Sequence, residues 1–267
     1  MNCGVYSLFP FPKEKEVINH YHSGIYRRPS KYNLNKQGKN FLVKKKYFID
    51  RLIKLSQLLS RVGRILDVGA GNGLLLAEAK KRNWQVWGTE LDPAAINYVK
   101  RKYDFKLLKG ELSKLKIPKQ YFDVVHLHHN LEHVYQPEAL LNSIKTVFKP
   151  GGLLVIEVPQ DLYPLSAVIK YYLSYKTRCR FLTNLFLKRK MISIKTTPSA
   201  HLFFFTPNSL KKLLIQSGFK IIQIKTPRRN HASDRVIYKH HYLANLIYFL
   251  ESKLLLGPNI EVFAKIN

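Results

Sequence analysis

The sequence predicts an α/β fold, a mostly parallel sheet with helices on both faces, and three observations point to it. From Gly63 onward, short apolar runs alternate with helix-length amphipathic segments, the texture of strands covered by helices. A glycine-rich turn, Asp67-Val68-Gly69-Ala70-Gly71-Asn72-Gly73, separates the first such run from the first such helix. At 267 residues and 46% apolar, the chain is also long enough to bury one large core.

Residues 1–40 are rich in Tyr, His, Lys and Arg, show no period and read as an arm. Phe41, Phe48, Leu52, Leu55 and Leu59 then recur at three-, four- or seven-residue spacing. That predicts an amphipathic helix over 41–59, whose other face carries Lys44, Lys45, Arg51 and Lys54. Residues 1–60 are therefore set apart as an arm and basic helix, and 61–267 as the main domain. Within it the predicted strands are 64–68, 85–89, 105–108, 122–127 and 153–158. Helices are predicted over 74–82, from the Asp92-Pro93 cap, and over 137–148, where Lys149-Pro150-Gly151-Gly152 ends the last of them. Residues 161–199 interrupt the alternation with an aromatic and basic insert, expected to form a helical lid. Thr206-Pro207 opens a further helix ending at Gly218, followed by a strand over 219–225 and a terminal one over 260–266.

Cys3 and Cys179 stand far apart, and no Cys/His cluster has metal-ligand spacing, so neither a disulfide framework nor a metal site is expected. The start lacks a basic region followed by an apolar run, and no apolar stretch approaches the roughly 20 residues of a spanning helix. A cytoplasmic setting is expected. The formal charge of +28 is spread as +9 over residues 1–60, +5 over 61–160, +7 over 161–200 and +7 over 201–267. Nucleic acid, an anionic membrane or a phosphorylated substrate would each answer such a charge, while drift toward Lys, Ile, Asn and Tyr would produce it without a partner.

Glycines at a strand's carboxyl end let the backbone approach a ligand with no Cβ in the way. A dinucleotide fingerprint places glycines at 69, 71 and 74, but position 74 is Leu and the third glycine, Gly73, comes one residue early. Asp67 is awkward beside a pyrophosphate and suits a ligand carrying an ammonium. Glu90, at the end of the second strand, stands where nucleotide-binding folds keep an acid for the ribose hydroxyls. S-adenosylmethionine has the ammonium, the ribose and no phosphate.

Four stretches, in this order and spacing, closely resemble the class I S-adenosylmethionine-dependent methyltransferases. They are Leu66–Gly73, Gly88–Asp92, Phe122–Val125 followed by Leu131-Glu132-His133-Val134, and Lys149–Leu154. The likeness is strongest to the branch of ubiquinone-biosynthesis and other small-molecule or glycan-pathway enzymes. It implies a Rossmann-like seven-stranded sheet whose terminal strand runs antiparallel. It further implies that Asp67, Gly69, Ala70, Gly71 and Gly73 hold the methionine moiety, Glu90 the ribose and Leu91 one adenine face, with Glu111 and Leu112 beside the adenine amine.

A general base is needed where the acceptor must lose a proton. His201 and His133 are the candidates by placement, while His128, with His129 or Asn130, is expected to line the methionine end of the pocket. The acceptor is read as a small, lipid-linked or sugar-linked molecule, with peripheral contact to an anionic membrane open. Nucleic acid is the alternative favoured by charge, although His128-His129-Asn130-Leu131 stands where nucleobase amine methyltransferases carry Asn/Asp-Pro-Pro-aromatic. A non-catalytic binding module on the same fold is the third reading.

Overall fold

Strands buried on both faces make the centre of the molecule, a computed structural model that describes residues 5–7, 10–17, 39–160, 201–227, 250 and 253–266. The strands are β1 (Tyr6–Ser7), β2 (Arg64–Val68), β3 (Gln85–Glu90), β4 (Leu108–Lys109), β5 (Phe122–His128), β6 (Phe148–Pro159), β7 (Phe203–Phe204), β8 (Phe219–Lys225) and β9 (Asn259–Ile266). Seven of them form one sheet in the order β4-β3-β2-β5-β6-β9-β8, with β9 antiparallel to both its neighbours and the other pairings parallel. The antiparallel terminal strand implied by the sequence is therefore present. β1 and β7 pair separately, antiparallel.

Alternate side chains of each strand point to opposite faces. Leu66, Val125, Leu127, Leu154 and Ile156 pack with Leu141 and Ile144 of α4 (Pro137–Val147) and Leu210 and Leu214 of α5 (Pro207–Gln216). Ile65, Val124, Leu153, Val155 and Phe263 face the other way, onto α1 (Lys39–Leu59), α2 (Leu74–Lys80) and α3 (Pro93–Tyr103). From α1, Phe48, Leu52 and Leu55 enter that second core, so the helix set apart at residue 60 by its sequence shares the packing of the sheet. The caps anticipated from sequence form: Asp92 accepts from the Ala94 amide, and Thr206 and Ser209 make a reciprocal box.

Three local expectations change. The strand expected at 105–108 is β4 at 108–109, because Phe105 and Leu107 bury against α2 and α3 instead of extending the ladder. α4 stops at Val147 because Phe148 already pairs with Phe122. The run Lys149–Gly152 bulges opposite Asp123 before Leu153 resumes pairing with Val124. Arg51, read as solvent-facing, is 4% exposed. The lid-like insert 161–199 lies outside the described residues. Among those that are described, no helix is long and apolar enough to cross a membrane.

Asp123 meets donors from the start of β2 on one side and from the bulged run on the other. Its carboxylate accepts from the Arg64 amide at 2.7 Å and from Arg61 Nη2 at 2.6 Å, with Lys149 Nζ at 3.4 Å. Burial alone would raise its pKa, but these donors prevail and hold it below the ordinary carboxylate value. Asp123→Asn is expected to cost about 2 kcal/mol. A carboxylate whose folded pKa is depressed stabilises the fold above its unfolded pKa and ceases to do so as pH falls through the folded one. The gap between wild type and variant in urea melts should thus be full at neutral pH and close in strong acid. A gap independent of pH would refute this account.

Candidate active site

The turn after β2 is built from three left-handed glycines: Gly69 at φ 72°, Gly71 at 57° and Gly73 at 68°. The amides of Gly69 and Ala70 both donate to the Thr89 carbonyl, at 3.0 and 2.9 Å, which ties the turn to the end of β3. A Cβ at Gly69 would stand 2.1 Å from Asn130 Nδ2, so the space above the turn is already used by the residue leaving β5. Glu90 braces the same turn from the side. Its Oε2 accepts from the Gly71 amide at 2.7 Å, and its Oε1 from the amides of Leu91 at 2.8 Å and Asp92 at 3.1 Å.

Against this corner opens a cavity of about 530 Å³, within the usual range for small-molecule sites. Gly69, Glu90, Leu91, Glu111, Leu112 and His133, all expected at the site, line it. Glu111 does so while its carboxylate lies 2.8 Å from Lys114 Nζ. Ala70, Gly71 and Gly73 are set back in the turn and outside the lining, as is Asp67, whose Oδ1 is 2.7 Å from His126 Nδ1. His128 is turned away too: its Nδ1 is 3.2 Å from Glu157 Oε2, and its ring sits edge-on to Phe48. His129 and Asn130 take the lining position instead. His201 also lies outside the lining, its ring centroid 4.8 Å from that of His133.

Two groupings escaped the sequence. Glu132 is 0% exposed, and among the described residues neither of its carboxylate oxygens accepts a hydrogen bond. His129 Nδ1 and His133 Nε2 stand 3.3 and 3.6 Å from its Oε1, a carboxylate behind imidazoles that face the cavity. His129 holds a left-handed backbone, φ 51°, to reach it. Glu132, His133 and His201 bring ligand atoms within 4.8 Å of one another, as do His128, His129 and Glu157, so these are the described groups with donors suited to a divalent cation. The second grouping is a buried cluster of Arg51, Tyr47, Glu157, Glu261, His126 and Asp67. Arg51 falls three residues after Phe48 and four before Leu55, within the apolar stripe, and that spacing was its available signal.

Residues 41–224, α1 through most of β8, match the family model described as Methyltransferase domain. The chain belongs to this family. It is thereby one of the class I S-adenosylmethionine-dependent methyltransferases that its motifs resemble. A ubiquinone biosynthesis O-methyltransferase of Azoarcus sp. (strain BH72) is 26% identical over 168 residues, which are 60% of this chain and 66% of that one. The match to another of that name, from Stutzerimonas stutzeri, covers 41% of the relative, so the chain spans less than two thirds of these curated relatives. Among solved structures, Synechocystis magnesium protoporphyrin IX methyltransferase with bound SAH superposes at TM-score 0.60 and 12% identity. It covers 96% of this chain and 100% of that one, a likeness of fold.

The methyltransferase site residues fit S-adenosyl-L-methionine on the structure's own terms. A carboxylate ends β3 at the cavity wall, Leu91 and Leu112 provide apolar faces beyond it, and the buried Asn130 Oδ1 has no hydrogen-bond partner among the described residues. A polar group arriving at the turn would satisfy it.

Proposed function

We propose that this chain transfers a methyl group from S-adenosyl-L-methionine to a small-molecule acceptor that gives up a proton. One observation carries the reading: a single cavity runs from Glu90 and the glycine turn to His129, Asn130 and His133, with buried Glu132 behind the imidazoles. S-adenosyl-L-methionine supplies an activated methyl on sulfur, leaving the protein to position and to exclude water.

Glu90, whose carboxylate ends β3 at the cavity wall, would hold the ribose hydroxyls. Leu91 and Leu112 would flank the adenine, and Asp67 with the turn would orient the amino-acid end. His133 would take the acceptor's proton, since its ring lines the cavity and Glu132 favours the imidazolium that forms. His201, edge-to-face with His133 and outside the lining, would hold that ring in place. The Azoarcus relative's name, a ubiquinone biosynthesis O-methyltransferase, supports an oxygen acceptor, and the protoporphyrin named for the Synechocystis neighbour supports a small-molecule one.

The test is calorimetric titration with S-adenosylhomocysteine, then release of that product with a panel of small hydroxyl, amine and carbon acceptors. His133→Ala is expected to cut turnover about a hundredfold with cofactor affinity nearly unchanged, and His201→Ala to cut it less. Failure of the wild type to bind S-adenosylhomocysteine would sink the reading, and equal losses of turnover and affinity in His133→Ala would remove the base.

A lipid-linked acceptor is the second reading, with the chain in the cytoplasm and peripheral to an anionic membrane. α1 exposes Leu42 and Ile53 at 59% and 47%, beside exposed Lys44 and Lys46, a pattern suited to such a surface. Flotation with acidic vesicles, lost with neutral ones, would support it; equal flotation with both, or none, would end it.

A further inference from the structure

Arg51, His126 and Asp67 come from α1, β5 and β2, yet their side chains meet in line. Asp67 and His126 are opposite one another in the sheet register, on the face that α1 covers. Arg51 Nη1 lies 2.8 Å from His126 Nε2, and His126 Nδ1 lies 2.7 Å from Asp67 Oδ1. All three residues are buried, at 4%, 0% and 4% exposure, so water does not compete for these contacts.

The direction of the protons follows from chemistry. A guanidinium donates and cannot accept. Nε2 of His126 must therefore accept from Arg51, which puts the proton of the neutral ring on Nδ1, where it is donated to Asp67. The opposite tautomer would set an N–H against the guanidinium and a lone pair against the carboxylate. An imidazolium would place a second cation within hydrogen-bonding distance of the first in a buried site.

Arg51 is itself immobilised. Its Nη2 lies 2.6 Å from Glu157 Oε2 and 2.7 Å from Glu261 Oε2, and it also meets the Tyr47 hydroxyl. Burial lowers its pKa, but Tyr47, Glu157 and Glu261 outweigh that and raise it above the ordinary value, so the donor is permanent. Phe48 closes the side of the His126 ring, its centroid 6.2 Å away.

We propose that Arg51 is a positioning residue for the amino-acid end of the cofactor. Acting through the tautomer of His126, it fixes where the Asp67 carboxylate points at the foot of the glycine turn. The inference rests on the reading of Asp67 given under the proposed function. It makes α1 part of the cofactor site, although no residue of that helix lines the cavity.

Two measurements test it, neither of which needs a known acceptor. In the ligand-free chain, nitrogen-15 spectra of His126 should show the Nδ1–H tautomer, giving way to a mixture in Arg51→Lys. Lysine keeps a cation for Glu157 and Glu261 but lacks the second fork that reaches His126. In parallel, affinities are measured for S-adenosylhomocysteine and for 5′-methylthioadenosine, which shares the nucleoside and thioether but lacks the amino-acid end. Arg51→Lys and His126→Leu should weaken the first ligand about tenfold and leave the second unchanged. His126→Asn, able to accept from Arg51 and donate to Asp67, should recover most of the loss, and Asp67→Ala should reproduce it.

Equal weakening of both ligands would reduce Arg51 to fold support and overturn the proposal, as would an Nε2–H tautomer in the wild type. If Asp67→Ala shifts the ligand ratio while the Arg51 and His126 variants do not, the relay fails and the reading of Asp67 survives. An unshifted ratio in Asp67→Ala overturns both.

Discussion

Glu90→Ala is expected to weaken S-adenosylhomocysteine binding about a hundredfold, the largest effect of any single change lining the cavity. Two losses combine. Each hydrogen bond from a ribose hydroxyl to a carboxylate is worth roughly 1.5–3 kcal/mol, and alanine accepts none. The amides of Gly71, Leu91 and Asp92, which converge on the carboxylate at 2.7–3.1 Å, also lose their acceptor, so the left-handed turn at Gly71 keeps only the Gly69 and Ala70 bonds to β3. Glu90→Gln separates the two. Its oxygen can still accept from one side of the turn, but its NH₂ group would face an amide donor, so it should bind worse than wild type and better than alanine. Thermal melts with and without ligand read both: the ligand-free chain should lose a few degrees, and the ligand-induced rise should nearly vanish in Glu90→Ala. Binding within threefold of wild type would remove Glu90 from the site.

What was legible in the sequence was whatever a local pattern enforces. Apolar runs between turn residues located β2, β3 and β5 to within a residue or so, because burial on both faces of a parallel sheet demands such runs. β4 was misplaced because Phe105 and Leu107 are apolar for packing on α3, not for pairing. His128 and His129 were a question of parity. Val124 and His126 face α1, so His128 must as well, and the cavity is reached where the chain leaves the strand, at His129 and Asn130. Arg51 was hidden by its residue type: an arginine on a basic helix reads as solvated until Glu157 and Glu261, more than 100 residues away in sequence, are seen to meet it. The turn selected a class of ligand, but the position of Asp67 behind it, bonded to His126, depends on the pairing of β2 with β5, which no local spacing contains.

Arg51→Met should be the most destabilising substitution in the described fold, at about 3–5 kcal/mol. Methionine fills comparable volume, so the loss would not come from a cavity. It would come from Glu157, 0% exposed, and Glu261, opposite each other in the β6–β9 register and left without their cation. Lys54 Nζ, 4.0 Å from Glu261 Oε1, is too distant and too exposed to replace it. Removing the charge that Arg51 neutralises should therefore repair much of the damage. Arg51→Met combined with Glu157→Gln and Glu261→Gln is expected to recover more than half of the lost stability, because amides pay far less to be buried than unpaired carboxylates. The combined variant should still bind S-adenosylhomocysteine poorly relative to 5′-methylthioadenosine, since His126 again has no donor at Nε2. Stability restored with ligand discrimination still lost would separate the two roles of one guanidinium, holding α1 to the sheet and setting a proton beside Asp67. A combined variant as unstable as Arg51→Met alone would mean that packing, not charge, makes Arg51 matter to the fold.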